Sequence, residues 1–156
     1  MKKAYTYDDV LLVPQYSDIR SRSEVDISGR LGELKLTLPI ISSPMDTVTE
    51  SGMARTMRSE GGVGVIHRYN TIFEQCEMVK KAGVGVGAAV GVTGDFVERA
   101  QALCGNGASF VCVDVAHGHH ILMKEALEKL RDNLPDDFHI MAGNVATLEG
   151  FNDLAD

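Results

Sequence analysis

The sequence predicts an α/β domain built from β/α units in tandem on a parallel sheet. Three observations carry that reading. Short apolar runs recur at a fixed interval, the stretches between them have the apolar periodicity of helices, and the runs are continuous rather than alternating, as in strands covered on both faces. The runs begin at Pro39 (PIISSPM), Val63 (VGVIH), Val86 (VGAAV), Phe110 (FVCVDVA) and His139 (HIMAGN), so successive starts lie 24, 23, 24 and 29 residues apart. Each interval holds one strand, one helix and two short loops. Periodicity does not separate an open sheet from a barrel, because both use the same unit.

Taken in order, residues 1–38 fall outside the repeat. They contain Pro14, turns rich in Ser, Asp and Arg, and the short alternating segment GELKLTL, which predict an N-terminal arm with a small hairpin. Residues 39–156 carry five β/α units. The segments Thr47-Val-Thr-Glu50 and Thr71-Ile-Phe-Glu74 have the capping-box form, in which a hydroxyl and a carboxylate satisfy orphan helix N–H groups. Apolar faces are expected from Ile72, Phe73, Cys76 and Val79 in one helix, from Phe96, Val97, Ala100, Leu103 and Cys104 in the next, and from Met123, Ala126, Leu127 and Leu130 in the third. Gly61 and Gly83 stand where helix C-terminal caps belong. No linker or low-complexity segment interrupts the series.

Composition bounds the function. With 156 residues the chain is long enough for one core but short of the roughly 250 residues of a closed (β/α)8 barrel. A net charge of −7, with no basic run longer than Lys80-Lys81, excludes the electrostatic footprint of a nucleic-acid binder. The start lacks the apolar run of a signal peptide, and no stretch approaches the roughly 18 apolar residues of a membrane span, so a cytoplasmic location without a membrane partner is expected. Cys76, Cys104 and Cys112 have spacings that fit neither a metal motif nor a disulfide framework, and they are expected as buried thiols.

In parallel α/β folds the chemistry sits at the C-terminal ends of the strands. Those ends read Ser42-Ser-Pro-Met-Asp-Thr47, His67-Arg-Tyr-Asn70, Gly91-Val-Thr-Gly94, Asp114-Val-Ala-His-Gly118 and Gly143-Asn144. Polar groups converging from several ends on one mouth make a small-molecule site. Asp46 is expected at the head of a helix, near the positive end of its dipole. Asp114 interrupts an apolar run, and a buried carboxylate is costly unless something binds it, so it is a binding candidate against the alternative of a structural ion pair. His67 reads first as a hydrogen-bonded strand-end histidine and second as an acid/base group. The cluster His117-Gly-His-His120 invites a metal reading, but no carboxylate or thiolate lies at a matching spacing, and a loop or helix-start role is preferred. The glycines from Gly83 to Gly91 imitate a dinucleotide fingerprint. They end one helix and enter the next strand, whereas a Rossmann loop leaves a strand and opens a helix.

Together these segments resemble the IMP dehydrogenase/GMP reductase family. The resemblance rests on Thr6-Tyr-Asp-Asp-Val-Leu-Leu-Val-Pro14, Ser43-Pro-Met-Asp-Thr-Val-Thr-Glu50 with Ser51-Gly-Met-Ala54, Gly61-Gly-Val-Gly-Val-Ile-His67, Val86-Gly-Ala-Ala-Val90, Asp114-Val-Ala-His-Gly118 and Met141-Ala-Gly-Asn144, in family order along nearly the whole chain. It implies the N-terminal portion of a TIM (β/α)8 barrel, with about five of its units. The implied activity is that of a purine nucleotide oxidoreductase in which a cysteine attacks C2 of the base and a hydride passes between base and cofactor.

The resemblance further implies that Ser43, Met45 and Asn144 serve the nucleotide, Met45 lying against the purine. Asp114 would hold the ribose of NAD, or alternatively NADP, with Val115 and Ala116 beside it and Arg68 near the cofactor or the reacting base. A homo-oligomer, expected as a tetramer, and a monovalent cation bound through the later part of the barrel belong to the same implication. So does a nucleophilic cysteine in a loop beyond Asp156, which Cys76, Cys104 and Cys112 do not replace. The chain alone is therefore expected to lack turnover until a C-terminal half joins it.

Dehydrogenases of the family usually insert regulatory modules between the second helix and the third strand, and here residues 71–83 run straight into Val86. That, with Ser21-Arg-Ser-Glu-Val-Asp26 and Asp114-Val-Ala, leans toward a GMP reductase, whereas Ser43-Pro-Met-Asp leans toward an IMP dehydrogenase. The dehydrogenase, in a form lacking the modules, is the leading expectation. A non-catalytic nucleotide-binding or structural subunit is the rival from another class.

Overall fold

The computed structural model describes residues 3–155. Five parallel strands, β3 (Ile41–Ser42), β4 (Val63–Ile66), β5 (Gly87–Val90), β6 (Phe110–Asp114) and β7 (His139–Gly143), lie side by side in chain order. Helices α1 (Ser51–Ser59), α2 (Ile72–Ala82), α3 (Phe96–Gly105), α4 (Ile121–Asn133) and α5 (Leu148–Ala155) follow them one by one. A sheet whose order equals its sequence order, with every helix on one side, curls into part of a barrel. An antiparallel hairpin, β1 (Gly29–Leu31) and β2 (Leu34–Leu36), precedes it. Before the hairpin come two short 3-10 turns, Tyr7–Asp9 and Arg22–Glu24, in an arm whose Tyr7, Leu11, Leu12 and Tyr16 stand exposed.

Two apolar layers flank the sheet. The outer one joins Ile66, Ala88, Val90, Val111 and Val113 to Val79, Ala100, Leu103, Met123 and Leu130 of the helices. The inner one joins Val63, Val65, Ala89, Phe110 and Cys112 to Leu36 of the hairpin. Alternation along each strand therefore assigns Val63, Val65, Ala89, Phe110 and Cys112 to the barrel interior. Gly87 belongs to this inner face because a Cβ there would lie 2.3 Å from the Phe110 ring, which occupies its place. The hairpin closes the N-terminal end of the strands: the Glu33 N–H donates to His139 Nε2 at 3.1 Å, and Arg58 Nη1 donates to the Lys35 carbonyl at 3.1 Å.

The helix signals divide. Thr71 and Glu74 form the expected capping box at α2, and Gly83, with φ of 91°, caps its other end. Gly61, with φ of 92°, follows the last turn of α1. The box expected from Thr47 to Glu50 does not form: α1 starts at Ser51 with Glu50 as N-cap, and the buried Thr49 hydroxyl is spent elsewhere. Asp46 accordingly lies five residues before the helix, exposed, and not at its head. Phe73, expected on the inner face of α2, is 73% exposed, because the buried stripe runs through Gln75, Cys76, Val79 and Ala82. Val97, Cys104 and Leu127 lie at the margins of their helix faces, half-buried.

Candidate functional site

The C-terminal ends of the strands form an open mouth, and alternation decides which side chains enter it. His67 continues the inward series of Val63 and Val65, Gly91 that of Ala89, and Asp114 that of Phe110 and Cys112. His67 is 4% exposed. The Tyr69 N–H donates to its Nδ1 at 3.2 Å, which leaves the ring proton on Nε2. That Nε2 is buried without a hydrogen-bond partner among the described residues; Glu50 Oε1 stands 3.8 Å away, within ion-pair range but beyond a hydrogen bond.

Arg68, half-buried, lays its guanidinium over the Tyr69 ring at 5.5 Å and over Gly91, where a Cβ would come to 3.5 Å from Nη1. That is ordinary van der Waals contact, so Arg68 packs directly over the end of β5. Asp114 is half-buried rather than fully buried as expected, and it forms no ion pair among the described residues, so the alternative of a structural ion pair does not apply.

Beyond the strands, β6 and β7 remain paired. The Val115 N–H donates to the Gly143 carbonyl at 2.9 Å, the Asn144 N–H to the Val115 carbonyl at 2.7 Å, and the Gly118 N–H to the Asn144 carbonyl at 2.7 Å. A Cβ on Gly118 would approach that carbonyl oxygen to 2.9 Å, so the glycine permits the closeness. Asp114, Val115, Ala116 and Asn144 are therefore brought together on one ribbon. Ser43 and Met45 lie apart from it, in the β3–α1 loop, both exposed. Their loop is held from inside by Thr49, whose hydroxyl donates to the Ser43 carbonyl at 2.7 Å and lies 2.9 Å from the Ser42 hydroxyl, while its own carbonyl accepts the His67 N–H at 3.4 Å.

The other candidates settle into structural places. His120 is the N-cap of α4, its Nδ1 accepting from the Leu122 N–H, and His119 pairs with Asp153 at 2.7 Å. No group of three His, Cys, Asp or Glu side chains able to hold a metal occurs among the described residues. The thiols are free. Burial pushes Cys76 and Cys104 above the usual thiol range, and burial, with a smaller contribution from the Asp114 charge, pushes Cys112 up to about 12. At neutral pH such groups are thiols, not nucleophilic thiolates. A groove of about 1000 Å3 lies outside the barrel between α4, β7 and α5, against Leu127, Ile140 and Phe151.

Thr49, Gln75 and Arg99 are buried polar residues behind the strand ends that the motif reading passes over. Gln75 and Arg99 occupy buried helix positions otherwise filled by apolar residues, and a polar side chain in that stripe is the signal that marks them.

A curled parallel β/α sheet with charged and polar groups at its C-terminal strand ends is part of a (β/α)8-type barrel. A family model described as the IMP dehydrogenase / GMP reductase domain matches residues 4–156, and the chain belongs to that family. In the solved structure of inosine 5′-monophosphate dehydrogenase from Legionella pneumophila, 48% identical, the fold superposes with a TM-score of 0.87 over 98% of this chain and 48% of that one.

A GMP reductase of Paracidovorax citrulli is 35% identical over 96% of this chain and 47% of its own length. An inosine-5′-monophosphate dehydrogenase of Nitrosopumilus maritimus is 27% identical over 98% and 59%. The chain thus spans about half the length of the relatives it matches. No helix among the described residues is long and apolar enough to cross a membrane.

Proposed function

We propose that this chain supplies nucleotide- and cofactor-facing strand ends of a purine nucleotide oxidoreductase that oxidises IMP to XMP with NAD. The observation that carries the reading is the convergence on one mouth of an inward, unpaired carboxylate at Asp114, a cation at Arg68 lying over Gly91, and the paired ribbon ending at Asn144. These groups suit a dinucleotide: a carboxylate accepts from ribose hydroxyls, and a guanidinium faces anionic or polar edges. Bound NAD supplies the hydride acceptor. Asp114 holds the ribose on the nicotinamide side, Val115 and Ala116 line it, and Arg68 covers the reacting face. Met45 lies against the purine, and Ser43 and Asn144 fix the nucleotide.

The nucleophilic cysteine, and any monovalent cation, belong to a segment beyond Asp156, and the assembled protein is a tetramer in the cytoplasm. The test is turnover: the 156-residue chain shows no IMP- or GMP-dependent NAD(P) reduction or oxidation and gains it when the C-terminal half is added. Turnover by the isolated chain overturns the reading.

A second direction, reduction of GMP to IMP with NADPH, is favoured by alignment length. The Nitrosopumilus dehydrogenase aligns over 281 positions, at least 125 more than the 156 residues here, whereas the Paracidovorax reductase aligns over 158. The near-half identity to the Legionella dehydrogenase favours the first. Comparing IMP with NAD against GMP with NADPH in the completed protein separates the two.

A further inference from the structure

Arg68 reaches the mouth on the loop between β4 and α2, and the far side of that loop is gripped from within the helix layer. Gln75 of α2 is fully buried. Its Nε2 donates to the Ala89 carbonyl of β5 at 2.8 Å, and its Oε1 accepts from Arg99 Nη1 at 2.9 Å. Arg99, in the first turns of α3, is 8% exposed. Its Nη2 donates to the Asn70 carbonyl at 3.2 Å and to Asp95 Oδ2 at 2.9 Å, and its Nε donates to Asp95 Oδ1 at 3.4 Å. One planar guanidinium therefore joins α2, the start of α3 and the loop backbone two residues after Arg68, and reaches β5 through Gln75.

Such a network is weak as a source of stability, since apolar replacements of buried ionic groups are often neutral or better. Its specific product is direction. The rigid fork of donors fixes the Asn70 carbonyl in a way that a single ammonium donor does not. The opposite side of the same loop is tied by the Tyr69 N–H on His67 Nδ1 and by the α2 capping box at Thr71. Arg68, packed on Tyr69 and over Gly91, thus extends from a loop whose backbone is anchored around it.

We infer that Arg99, seated by Gln75 and Asp95, is a positioning residue that fixes the β4–α2 loop and so presents Arg68 over Gly91 to the cofactor. The cofactor part of this rests on the reading of Arg68 under Proposed function; the anchoring part does not. Ser43 and Met45 sit on a different loop, joined to this one through the Thr49 carbonyl on the His67 N–H, so nucleotide binding there changes less.

The test compares Arg99→Met and Arg99→Lys with the parent chain in two measurements. In amide hydrogen exchange without ligand, residues 67–71 exchange roughly tenfold faster in Arg99→Met, while β5 and β6 stay within about twofold. In equilibrium binding, NAD affinity falls about tenfold while IMP affinity stays within about threefold, and Arg99→Lys recovers part of the loss. Asp95→Ala, at a half-exposed side chain, gives the same pattern at smaller size if Arg99→Met does not fold.

Unchanged exchange at 67–71 in the folded variants overturns the inference. Equal loss of NAD and IMP affinity overturns it too, because that is the mark of general loosening. Accelerated exchange in a chain whose parent binds no NAD upholds the anchoring and overturns instead the role given to Arg68.

Discussion

The two ends of the half-barrel are made of the same strands and treat their side chains oppositely. At the N-terminal end the hairpin lies across the strands, Leu36 and Phe110 are buried, Gly87 gives up its side-chain space to the Phe110 ring, and Glu33 is bonded to His139. At the C-terminal end the inward positions are His67, Gly91 and Asp114, one with an unpaired buried nitrogen and one with no side chain at all. One end spends its residues on packing and the other leaves polar groups unsatisfied by protein. Unpaired buried groups cost stability, and among the described residues His67 Nε2 and Asn70 Oδ1, both just beyond β4, are the two that remain.

Substitutions should separate the two ends. Phe110→Ala removes a ring that fills the closed end and should destabilise by about 3–5 kcal/mol in chemical denaturation, with affinity at the mouth unchanged for the folded fraction. A loss below about 1 kcal/mol would mean that the hairpin does not seal the barrel.

Thr71→Ala, at the start of α2, should cost about 1 kcal/mol through loss of the cap. Its partner adds a pH signature. The Thr71 N–H, then the Thr71 hydroxyl, hold the Glu74 carboxyl below its usual value. A lowered folded value means stability that is present above the ordinary glutamate pKa of the unfolded chain and lost as pH falls through the folded one. The penalty of Glu74→Gln should therefore be seen at pH 7 and vanish in acid; a penalty that is flat with pH would break the assignment.

Asp114→Asn should be the mildest in stability, within about 0.5 kcal/mol, because no protein cation is left unpaired by it. Calorimetric titration of NAD should nevertheless show weakened binding. A large loss of stability with binding intact would reverse the contrast between the ends.

Much of this was legible from residues alone. Runs starting near Pro39, Val63, Val86, Phe110 and His139 mark the strands, because strands covered on both faces must be continuously apolar, and the Thr71–Glu74 box marks a helix start through local chemistry. Local chemistry misleads at Thr47–Glu50, where Thr49 bonds across to Ser42 and Ser43, a tertiary contact that spacing does not report. Phe73 follows the helical period by one reading and lies outside the buried stripe, since Gln75 takes the inner position by bonding to Ala89 and Arg99. Of the candidate site, Asp114, Val115, Ala116 and Asn144 are neighbours, while Ser43 and Met45 share the mouth only through the curl of the sheet.

The ribbon formed by residues 114–118 and 143–144 has a mechanical consequence. Three backbone hydrogen bonds beyond the strand ends tie the two loops to each other, and a side chain at position 118 would press on the Asn144 carbonyl and part them. A ligand that stiffens one loop stiffens the other at no extra entropic cost, so two ligands resting on opposite sides of the ribbon would each raise the other's affinity by the same factor.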